Sequence, residues 1–308
     1  MTTRQKLIFI VGVGRSGTSL LQSMIGAHPA IAVSPETHFL RNYLLDAKGH
    51  AAVKGLDRPA LIAKLNDDDE FRRADINAED LLPVGKTPDL AAAFLCLAEK
   101  LMDQQKATYY CDKDPNLIDY LPALHRHFPE AMVVHIYRDP RDVVLSKTKA
   151  KWSKGRPYWL HAYIGEAQLY RGLQLGRSLF GAGFINVRYE DIIATPQHSL
   201  RELCRSLNVN FDERMLSFQD TAKSLVTERE QSWKKETYGP LRKNNSAKWK
   251  SAFTTAQIAL IEGVSRTYFS ELDYRKVTGG GSFRTRTVGL GRPFFNILYR
   301  QLRKNAED

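Results

Sequence analysis

The stretch LIFIVGVGRSGTSL, residues 7–20, decides the fold, because an apolar run passes through a glycine-containing turn into an apolar helical face. The spacing of Gly12 and Gly17 matches the phosphate-binding pattern G-x-x-x-x-G-K-S/T. Thr18 stands where that pattern has lysine, so the cation that reaches the β- and γ-phosphates of a nucleoside triphosphate is absent. Backbone amides at a helix N-terminus still attract an anion. The stretch therefore predicts a site for a phosphate-like group that is not a nucleoside triphosphate.

Five short apolar runs end in polar or glycine-containing turns, which is typical of buried parallel strands. They are residues 7–11, 30–33, 108–111, 132–137 and 184–187. Helical patterns separate most of these runs, and strands that alternate with helices imply a parallel sheet covered on both faces. The sequence predicts an α/β fold, a doubly wound parallel sheet of about five strands flanked by helices.

The predicted organisation is one domain over residues 1–276, followed by a glycine-rich link and a basic tail over residues 277–308. Within the domain, residues 40–105 form a mostly helical excursion between the second and third strands. Residues 219–250 are polar and basic and are predicted to form a mobile loop, whereas residues 255–274 have the apolar spacing of a single helix.

Composition limits the partners and the compartment. The 308 residues include 45 Lys and Arg against 34 Asp and Glu, a formal net charge of +11. That excess suits anionic ligands, nucleic acid or an anionic membrane surface, and does not choose among them. Cys96, Cys111 and Cys204 are widely spaced and indicate buried thiols in a reducing compartment. No signal peptide or membrane-spanning run is evident, so the expected location is the cytoplasm.

The tail adds a peripheral alternative. Residues 292–304 place Phe294, Leu298 and Leu302 on one face of a helix that ends in basic residues. Such a segment could lie on an anionic membrane surface, or it could dock on the domain.

A second informative stretch is VVHIYRDPRDVVLSK, residues 133–147. A buried strand delivers Arg138 at its C-terminal end, the edge at which open α/β sheets bind ligands, and Ser146 follows on the next helix. An arginine and a serine hydroxyl can hold a second phosphate through charge-assisted hydrogen bonds. The alternative is that Arg138 pairs with Asp139 or Asp142 and only fixes the turn.

These two stretches resemble the cofactor motifs of the PAPS-dependent sulfotransferases, where PAPS is 3′-phosphoadenosine-5′-phosphosulfate. The resemblance continues at residues 187–196 and 241–250, so four stretches follow the family's order over roughly residues 5–275. One match would be weak, but four in order are specific. The resemblance implies a P-loop NTPase-like sulfotransferase fold. It also implies that residues 1–276 form a sulfotransferase domain, which releases PAP, 3′-phosphoadenosine-5′-phosphate.

The resemblance also assigns the cofactor contacts. The residues that would contact PAPS are Gly14, Arg15, Ser16, Gly17, Thr18, Ser19, Arg138, Ser146, Tyr189, Arg242 and Lys243. Residues 14–19 would bind the 5′-phosphosulfate, and Arg15 would neutralise it together with the leaving 5′-phosphate. No metal is expected, since a sulfuryl group carries less charge than a terminal phosphoryl group and the family uses none.

The far end of the cofactor would be held by separate elements. By the resemblance, Arg138 and Ser146 bind the 3′-phosphate and Tyr189 touches the adenine. Residues 242–243 close on the 3′-phosphate from a basic loop. Asn244 stands where the family has glycine, so the amide contact of that glycine is not carried over.

An acceptor hydroxyl needs a base that removes its proton during in-line attack. Residues 34–38, SPETH, follow the second strand and resemble the tyrosylprotein sulfotransferases, in which the glutamate at this position is the base. The resemblance therefore assigns that role to Glu36. His38 is the competing base, because other branches of the family use histidine or glutamate. Glu36 could instead cap the helix that follows.

The third predicted catalytic residue, beside Glu36 and Arg15, is Lys113. Residues 111–115, CDKDP, resemble the Lys-Asp-Pro of the tyrosylprotein branch, where the lysine stabilises the transferring group. Loss of one such electrostatic donor typically costs ~10²–10³ in rate. The alternative is a surface Lys–Asp pair, which contributes little to stability.

The predicted activity is transfer of a sulfuryl group from PAPS to a hydroxyl of a glycan, lipid, small molecule or tyrosine, with no nucleic-acid partner. One alternative is a P-loop kinase, which the missing lysine disfavours. Another is a catalytically inactive nucleotide-binding module at a membrane surface, which the presence of Glu36 and Lys113 disfavours. The aromatic side chains of residues 152–163 could stack on a sugar or phenol, or belong to the core.

Overall fold

The computed structural model describes most of the chain. The described residues are 6–45, 55–85, 88–153, 155–225, 239–242 and 244–278. Lys243, the glycine-rich link and the tail segment 292–304 lie outside these residues, so the predictions made for them stay predictions.

Five parallel strands form one sheet in the order β2-β3-β1-β4-β5. Their bounds are β1 Leu7–Val11, β2 Ile31–Val33, β3 Tyr109–Lys113, β4 Met132–Tyr137 and β5 Phe184–Arg188. Each strand lies within two residues of its predicted run. The chain forms β3 and β2 on one side of β1 and then crosses to form β4 and β5 on the other side, so the doubly wound α/β prediction is confirmed. Such a switch of direction opens a crevice at the carboxyl ends of the central strands.

Helices cover the sheet. Those before the fifth strand are α1 Thr18–Gly26, α2 Arg58–Asp67, α3 Leu90–Gln105, α4 Leu121–His127, α5 Pro140–Thr148 and α6 Tyr158–Phe180. Those after it are α7 Tyr189–Ala194, α8 Pro196–Ser206, α9 Gln219–Leu225, α10 Trp249–Ala252, α11 Thr255–Val264 and α12 Arg266–Glu271. One π-helical turn covers Leu40–Leu44, and short 3-10 turns cover Phe71–Ala74, Ala78–Leu81, Pro115–Asp119, Lys151–Ser153, Gly181–Gly183 and Glu213–Leu216.

The core has two layers, one on each face of the sheet. Side chains alternate across a strand, so β1 sends Phe9 to one layer and Ile8 and Ile10 to the other. Phe9 packs against Phe94 of α3 and Phe128 after α4, with ring centroids 6.0 Å and 5.9 Å away. The opposite layer is covered by α1 and by the helices α7 to α9. With both faces covered, the carboxyl edge of the sheet is the part left to bind a ligand.

Two predictions about the C-terminal third were wrong. Residues 255–274 form two helices, because the chain turns at Ser265 and Glu166 of α6 accepts hydrogen bonds from the amide and hydroxyl of Thr267. The loop predicted over residues 219–250 was wrong at its two ends, which form α9 and the start of α10. Both helices form because Leu225 and Trp249 are buried. Residues 226–238 lie outside the described residues, so for them the loop stays a prediction.

Two smaller observations concern the cysteines and membrane-spanning helices. Cys111 and Cys204 are buried as predicted, but Cys96 on α3 is only half-buried, with its thiol directed at the carbonyl of Asp80. Within the part of the chain that the structure describes, no helix is both long and apolar enough to cross a membrane.

Candidate active site

The loop between β1 and α1 is shaped by two glycines. A Cβ atom at Gly12 would lie 2.4 Å from the carbonyl oxygen of Ile136, and one at Gly17 would lie 2.4 Å from the ring of Tyr189. Gly17 also has φ +100°, in the left-handed region that glycine adopts without strain. The two glycines therefore let the loop pack closely against the strand end and against Tyr189.

Donors collect at the N-terminus of α1. Its N-cap residue Gly17 has no side chain to cap the first turn, whereas the carboxylate of Asp139 caps α5 by accepting the amide of Arg141. The hydroxyl of Ser16 is buried and has no hydrogen-bond partner among the described residues. Uncapped amides and an unused hydroxyl at a helix N-terminus suit an anion.

Arg15 joins the two motifs. Its Nε donates a 3.0 Å hydrogen bond to the hydroxyl of Ser146 on α5. The backbone of Arg15 has φ +77°, an uncommon conformation for a residue other than glycine and one that concentrates at functional sites. One residue predicted for the 5′ end of the cofactor, Arg15, therefore contacts one predicted for the 3′ end, Ser146.

Arg138 lies at the end of β4, with 8% of its surface exposed. Its guanidinium stacks 4.3 Å from the ring centroid of Tyr189, and its Nη2 donates a 2.8 Å hydrogen bond to the carbonyl of Asn245. A pair between Arg138 and Asp139 is wrong, since Asp139 pairs with Arg141 instead, whereas the positive charge of Arg138 does act on the carboxylate of Asp142. Nε of Arg138 is buried without a hydrogen-bond partner in the described part of the chain.

Asn245 is a residue that the sequence interpretation missed. Its side-chain amide donates a 2.7 Å hydrogen bond to the hydroxyl of Tyr189. Its backbone amide donates to the carbonyl of Arg242 at 3.1 Å, which closes a turn around that exposed arginine. Nothing local in the sequence marks Asn245, because its partners lie 56 and 107 residues away.

Glu36 and Lys113 form an ion pair between the ends of β2 and β3. Lys113 is only 2% exposed, and its ammonium group also donates to the hydroxyl of Ser19 at 3.3 Å. The surface Lys–Asp pair is therefore wrong. Glu36 does not cap the next helical segment, which begins at Leu40 with Phe39 as its N-cap.

His38 lies beside this pair. Its Nδ1 contacts a carboxylate oxygen of Asp114 at 2.8 Å, and Arg41 donates to the same oxygen at 2.8 Å. Nε2 of His38 lies 4.0 Å from Glu36. Burial alone would lower the pKa of His38, but the hydrogen bond and the charge of Asp114 outweigh it and raise that pKa. The imidazole therefore holds its proton more firmly than a free histidine does.

The two carboxyl groups on either side of Lys113 differ in protonation. Burial, followed by the charge of Asp114, raises the pKa of Asp112 to about 7. Burial also acts to raise the pKa of Asp114, but hydrogen bonds and charges from His38 and Arg41 hold it well below its usual range. Asp114 is therefore ionised at neutral pH, whereas Asp112 is partly protonated.

Lys147 brings a further positive charge close to Arg15. The lysine is buried on α5, and burial lowers its pKa to about 8; Asp119 opposes the shift and Arg15 adds to it. Nearby, the imidazole of His161 on α6 forms a 2.8 Å hydrogen bond with Ser153. The pKa of His161 falls to about 4 through burial and the charge of Lys147.

The aromatic residues near α6 divide into two groups. Trp152 and Trp159 are exposed, which leaves their rings accessible to an acceptor. Tyr158 and Tyr163 pack on a small apolar cluster with α11, and His161 is buried. Stacking on a ligand is therefore open to the two tryptophans but not to His161.

No group of three or more His, Cys, Asp or Glu residues in the described ranges is arranged to hold a metal ion.

Comparison with known proteins gives several related sequences. Protein-tyrosine sulfotransferase 2 of Gallus gallus is 24% identical over 223 residues, which cover 70% of this chain and 54% of that protein. Protein-tyrosine sulfotransferase 1 of Homo sapiens is 32% identical over 145 residues, which cover 47% of this chain and 34% of that protein. The chain thus spans about half the length, or less, of these curated relatives.

Solved structures and a family model complete the comparison. The sulfotransferase domain from the Synechococcus PCC 7002 olefin synthase superposes with a TM-score of 0.57 at 25% identity, covering 83% of this chain and 93% of that domain. The sulfotransferase domain from the curacin biosynthetic pathway gives a TM-score of 0.61 at 19% identity, covering 87% and 97%, and so shares the fold. The model described as "Sulfotransferase family" matches residues 8–213, two thirds of the sequence. The chain therefore belongs to the sulfotransferase family.

Proposed function

We propose that this protein transfers a sulfuryl group from PAPS to an acceptor hydroxyl and releases PAP, without a metal ion. One observation carries the proposal: the Glu36–Lys113 ion pair contacts Ser19 in the first turn of α1. A carboxylate able to accept a proton and an ammonium group able to stabilise developing charge thus stand beside an anion-binding helix N-terminus.

The residues present fit this cofactor. The hydroxyl of Ser16 and Nε of Arg138 are buried polar groups with no hydrogen-bond partner among the described residues, and both are of the kind that binds an anionic oxygen. Residues 14–19 would hold the 5′-phosphosulfate. Arg138 and Ser146 would hold the 3′-phosphate, and Tyr189 would lie against the adenine. Arg242 and Lys243 would complete the 3′-phosphate site.

Each catalytic side chain has a defined task. When bound, PAPS supplies a sulfuryl group whose bond to the 5′-phosphate breaks as the acceptor oxygen attacks in line. Glu36 accepts the proton of the acceptor hydroxyl. Lys113 leaves its ion pair with Glu36 as that carboxylate is neutralised, and its positive charge then faces the transferring group. Arg15 offsets the charge that develops on the leaving 5′-phosphate.

Glu36 is a better base than His38. Nδ1 of His38 is engaged by Asp114, and the raised pKa of His38 leaves less of the neutral imidazole, the form that can accept a proton, than in a free histidine. The carboxylate of Glu36 lies 4.0 Å from Nε2 of His38, so the imidazolium would stabilise the ionised form of Glu36. We assign His38 to the support of Glu36.

Tyrosine is the first acceptor to test. Relatives at 24% identity are named protein-tyrosine sulfotransferases, although the chain spans about half of their length. Exposed Trp152 and Trp159 could contact a phenol or a sugar. Glycans, lipids and small hydroxyl compounds therefore belong in the same screen.

Ligand-induced thermal shifts separate this function from that of a P-loop kinase. A ligand that binds only the folded state stabilises it by an amount that grows with the logarithm of the ligand concentration divided by Kd, and so raises Tm. PAP is expected to raise Tm more than ATP with Mg²⁺ at the same concentration. A larger shift with ATP and Mg²⁺ would favour the kinase and contradict the proposal.

A further inference from the structure

The carboxylate of Asp142 holds the backbone of the basic loop that contains Arg242. Asp142 lies in the first turn of α5 and is 2% exposed. One of its oxygens accepts the amide of Ala247 at 2.6 Å, and the other accepts the amide of Trp249 at 3.1 Å. Both oxygens of one buried carboxylate therefore serve a segment more than a hundred residues away in the sequence.

The same segment contacts two predicted cofactor residues. Asn245 receives a hydrogen bond from Arg138 on its carbonyl and donates one from its side chain to Tyr189. The turn that contains Arg242 is closed by the amide of Asn245. Two residues after Asn245, the amide of Ala247 donates its hydrogen bond to Asp142. The position of Arg242 thus depends on a chain of contacts whose fixed end is Asp142.

The end of the loop is fixed as well. Trp249 is buried, and the guanidinium of Arg141 stacks 3.9 Å from its ring centroid. Arg141 is held in turn by Asp139 at 2.7 Å and by Glu262 at 2.5 Å. If Asp142 is removed, Trp249 keeps its contact with Arg141, but its amide loses an acceptor. The removal acts on Arg242 and residues 244–247, and it also takes a negative charge away from Arg138.

We propose that Asp142 is a positioning residue that gives this protein its preference for nucleotides with a 3′-phosphate. The inference rests on the proposed function, which places the 3′-phosphate between Arg138 and the basic loop. Asp142 acts through the loop and touches neither the nucleotide nor the reacting atoms. Without its hold, the loop has to be ordered during binding, and that ordering weakens affinity.

The consequence is a selective loss of affinity. A nucleotide with a 3′-phosphate would contact the basic loop directly. In contrast, 5′-AMP lacks that phosphate, would bind to the loop between β1 and α1 and to Tyr189, and would depend on the basic loop only through the hydrogen bond from Asn245 to Tyr189. Loss of the hydrogen bonds to Asp142 therefore weakens the binding of PAP far more than the binding of AMP. Substitution of a residue that merely stabilises the fold would weaken the binding of both ligands alike, or of neither.

Calorimetric titration of PAP and AMP into four forms of the full chain tests the proposal. The forms are wild type, Asp142→Ala, Asp142→Asn and Glu166→Ala. The Glu166 variant is the matched control, because that carboxylate also holds a distant backbone amide, at Thr267 on α12. In Asp142→Ala the Kd for PAP is expected to rise by about 10- to 100-fold while that for AMP changes less than about twofold. The control should keep the wild-type ratio of the two constants.

The remaining outcomes separate the possible failures. Asp142→Asn keeps the shape and one acceptor oxygen, so an intermediate loss of the PAP preference supports the proposal even if the alanine variant does not fold. An unchanged ratio in both Asp142 variants, with a clear PAP preference in the wild type, overturns this inference alone. A wild-type protein that binds PAP no more tightly than AMP overturns the proposed function and this inference with it.

Discussion

The buried ammonium group of Lys113, at the end of β3, pairs with the partly buried carboxylate of Glu36, which follows β2. The same ammonium group donates to the hydroxyl of Ser19 in the first turn of α1. Removing one member of a buried pair leaves the other charge uncompensated, whereas removing both is better tolerated. Under the proposed function, catalysis and stability depend on the same two groups in different ways, which allows the two roles to be tested separately.

Replacement of Glu36 by glutamine should abolish turnover and leave cofactor affinity nearly intact. Glutamine keeps the shape of the side chain but cannot accept the acceptor proton, and loss of a general base typically costs ~10²–10⁴ in rate. The measurements are kcat with PAPS and the Kd for PAP. Full activity in this variant would rule out the assigned base.

His38→Asn should retain most of the activity. Asparagine keeps a donor close to the position of Nδ1, which contacts Asp114, but has no imidazole that could act as a base. We expect kcat to fall by less than about 10-fold, because only the support of Glu36 is weakened. If kcat falls as far as in Glu36→Gln, histidine is the base and the assignment of Glu36 is wrong.

Lys113→Met should lower kcat by ~10²–10³-fold, as expected for loss of an electrostatic donor. It should also lower the free energy of unfolding by about 1–3 kcal/mol, because the carboxylate of Glu36 then loses its ion pair with the buried ammonium group. Urea denaturation and steady-state kinetics on the same preparation give both values.

The double variant Glu36→Gln/Lys113→Met separates the two effects of Lys113. Both charges are removed together, so stability should recover toward wild type while activity stays absent. Recovery of activity in the double variant would show that neither side chain takes part in the reaction.

Lys147→Met should stabilise the ligand-free protein at neutral pH. The folded-state pKa of Lys147 is lowered to about 8, so the charged amine is disfavoured in the fold and methionine removes a cost of about 1–3 kcal/mol at pH 7. Between about pH 8 and pH 10 the unfolded chain binds the proton that the folded chain has released, so wild-type stability rises with pH. The advantage of the variant should therefore shrink over that interval. Urea denaturation at pH 7 and pH 10 measures it, and a variant that is less stable at both values would contradict the expected charge burial.

The strands and the ligand edge could be predicted because their signals are local. Apolar runs mark the five strands, and the glycine spacing at Gly12 and Gly17 marks the turn that their close contacts require. The single helix over residues 255–274 was wrong for a tertiary reason. The apolar spacing of the segment continues through Ser265. The helix nevertheless ends there, because Thr267 donates hydrogen bonds to Glu166 of α6, which lies a hundred residues earlier in the sequence.

The candidate site shows the same division. Motif resemblance singled out Glu36, Lys113 and Arg138 one by one, because each follows or ends a strand. The contact of Arg138 with Asn245 and those of His38 and Arg41 with Asp114 were not visible, since they join residues about 70 to 110 positions apart. Short polar residues in turns carry no local sign of which distant group they will meet.

Sulfuryl transfer itself is the most direct test of the central claim. The full chain is incubated with radiolabelled PAPS and separate acceptors, namely a tyrosine peptide, a glycan, a lipid with a free hydroxyl and a small phenol, beside Glu36→Gln as control. With the wild-type chain we expect label on at least one acceptor class and release of PAP in an amount equal to the label transferred. With Glu36→Gln we expect neither labelled acceptor nor PAP. A wild-type chain that transfers no label and binds neither PAPS nor PAP would contradict the account.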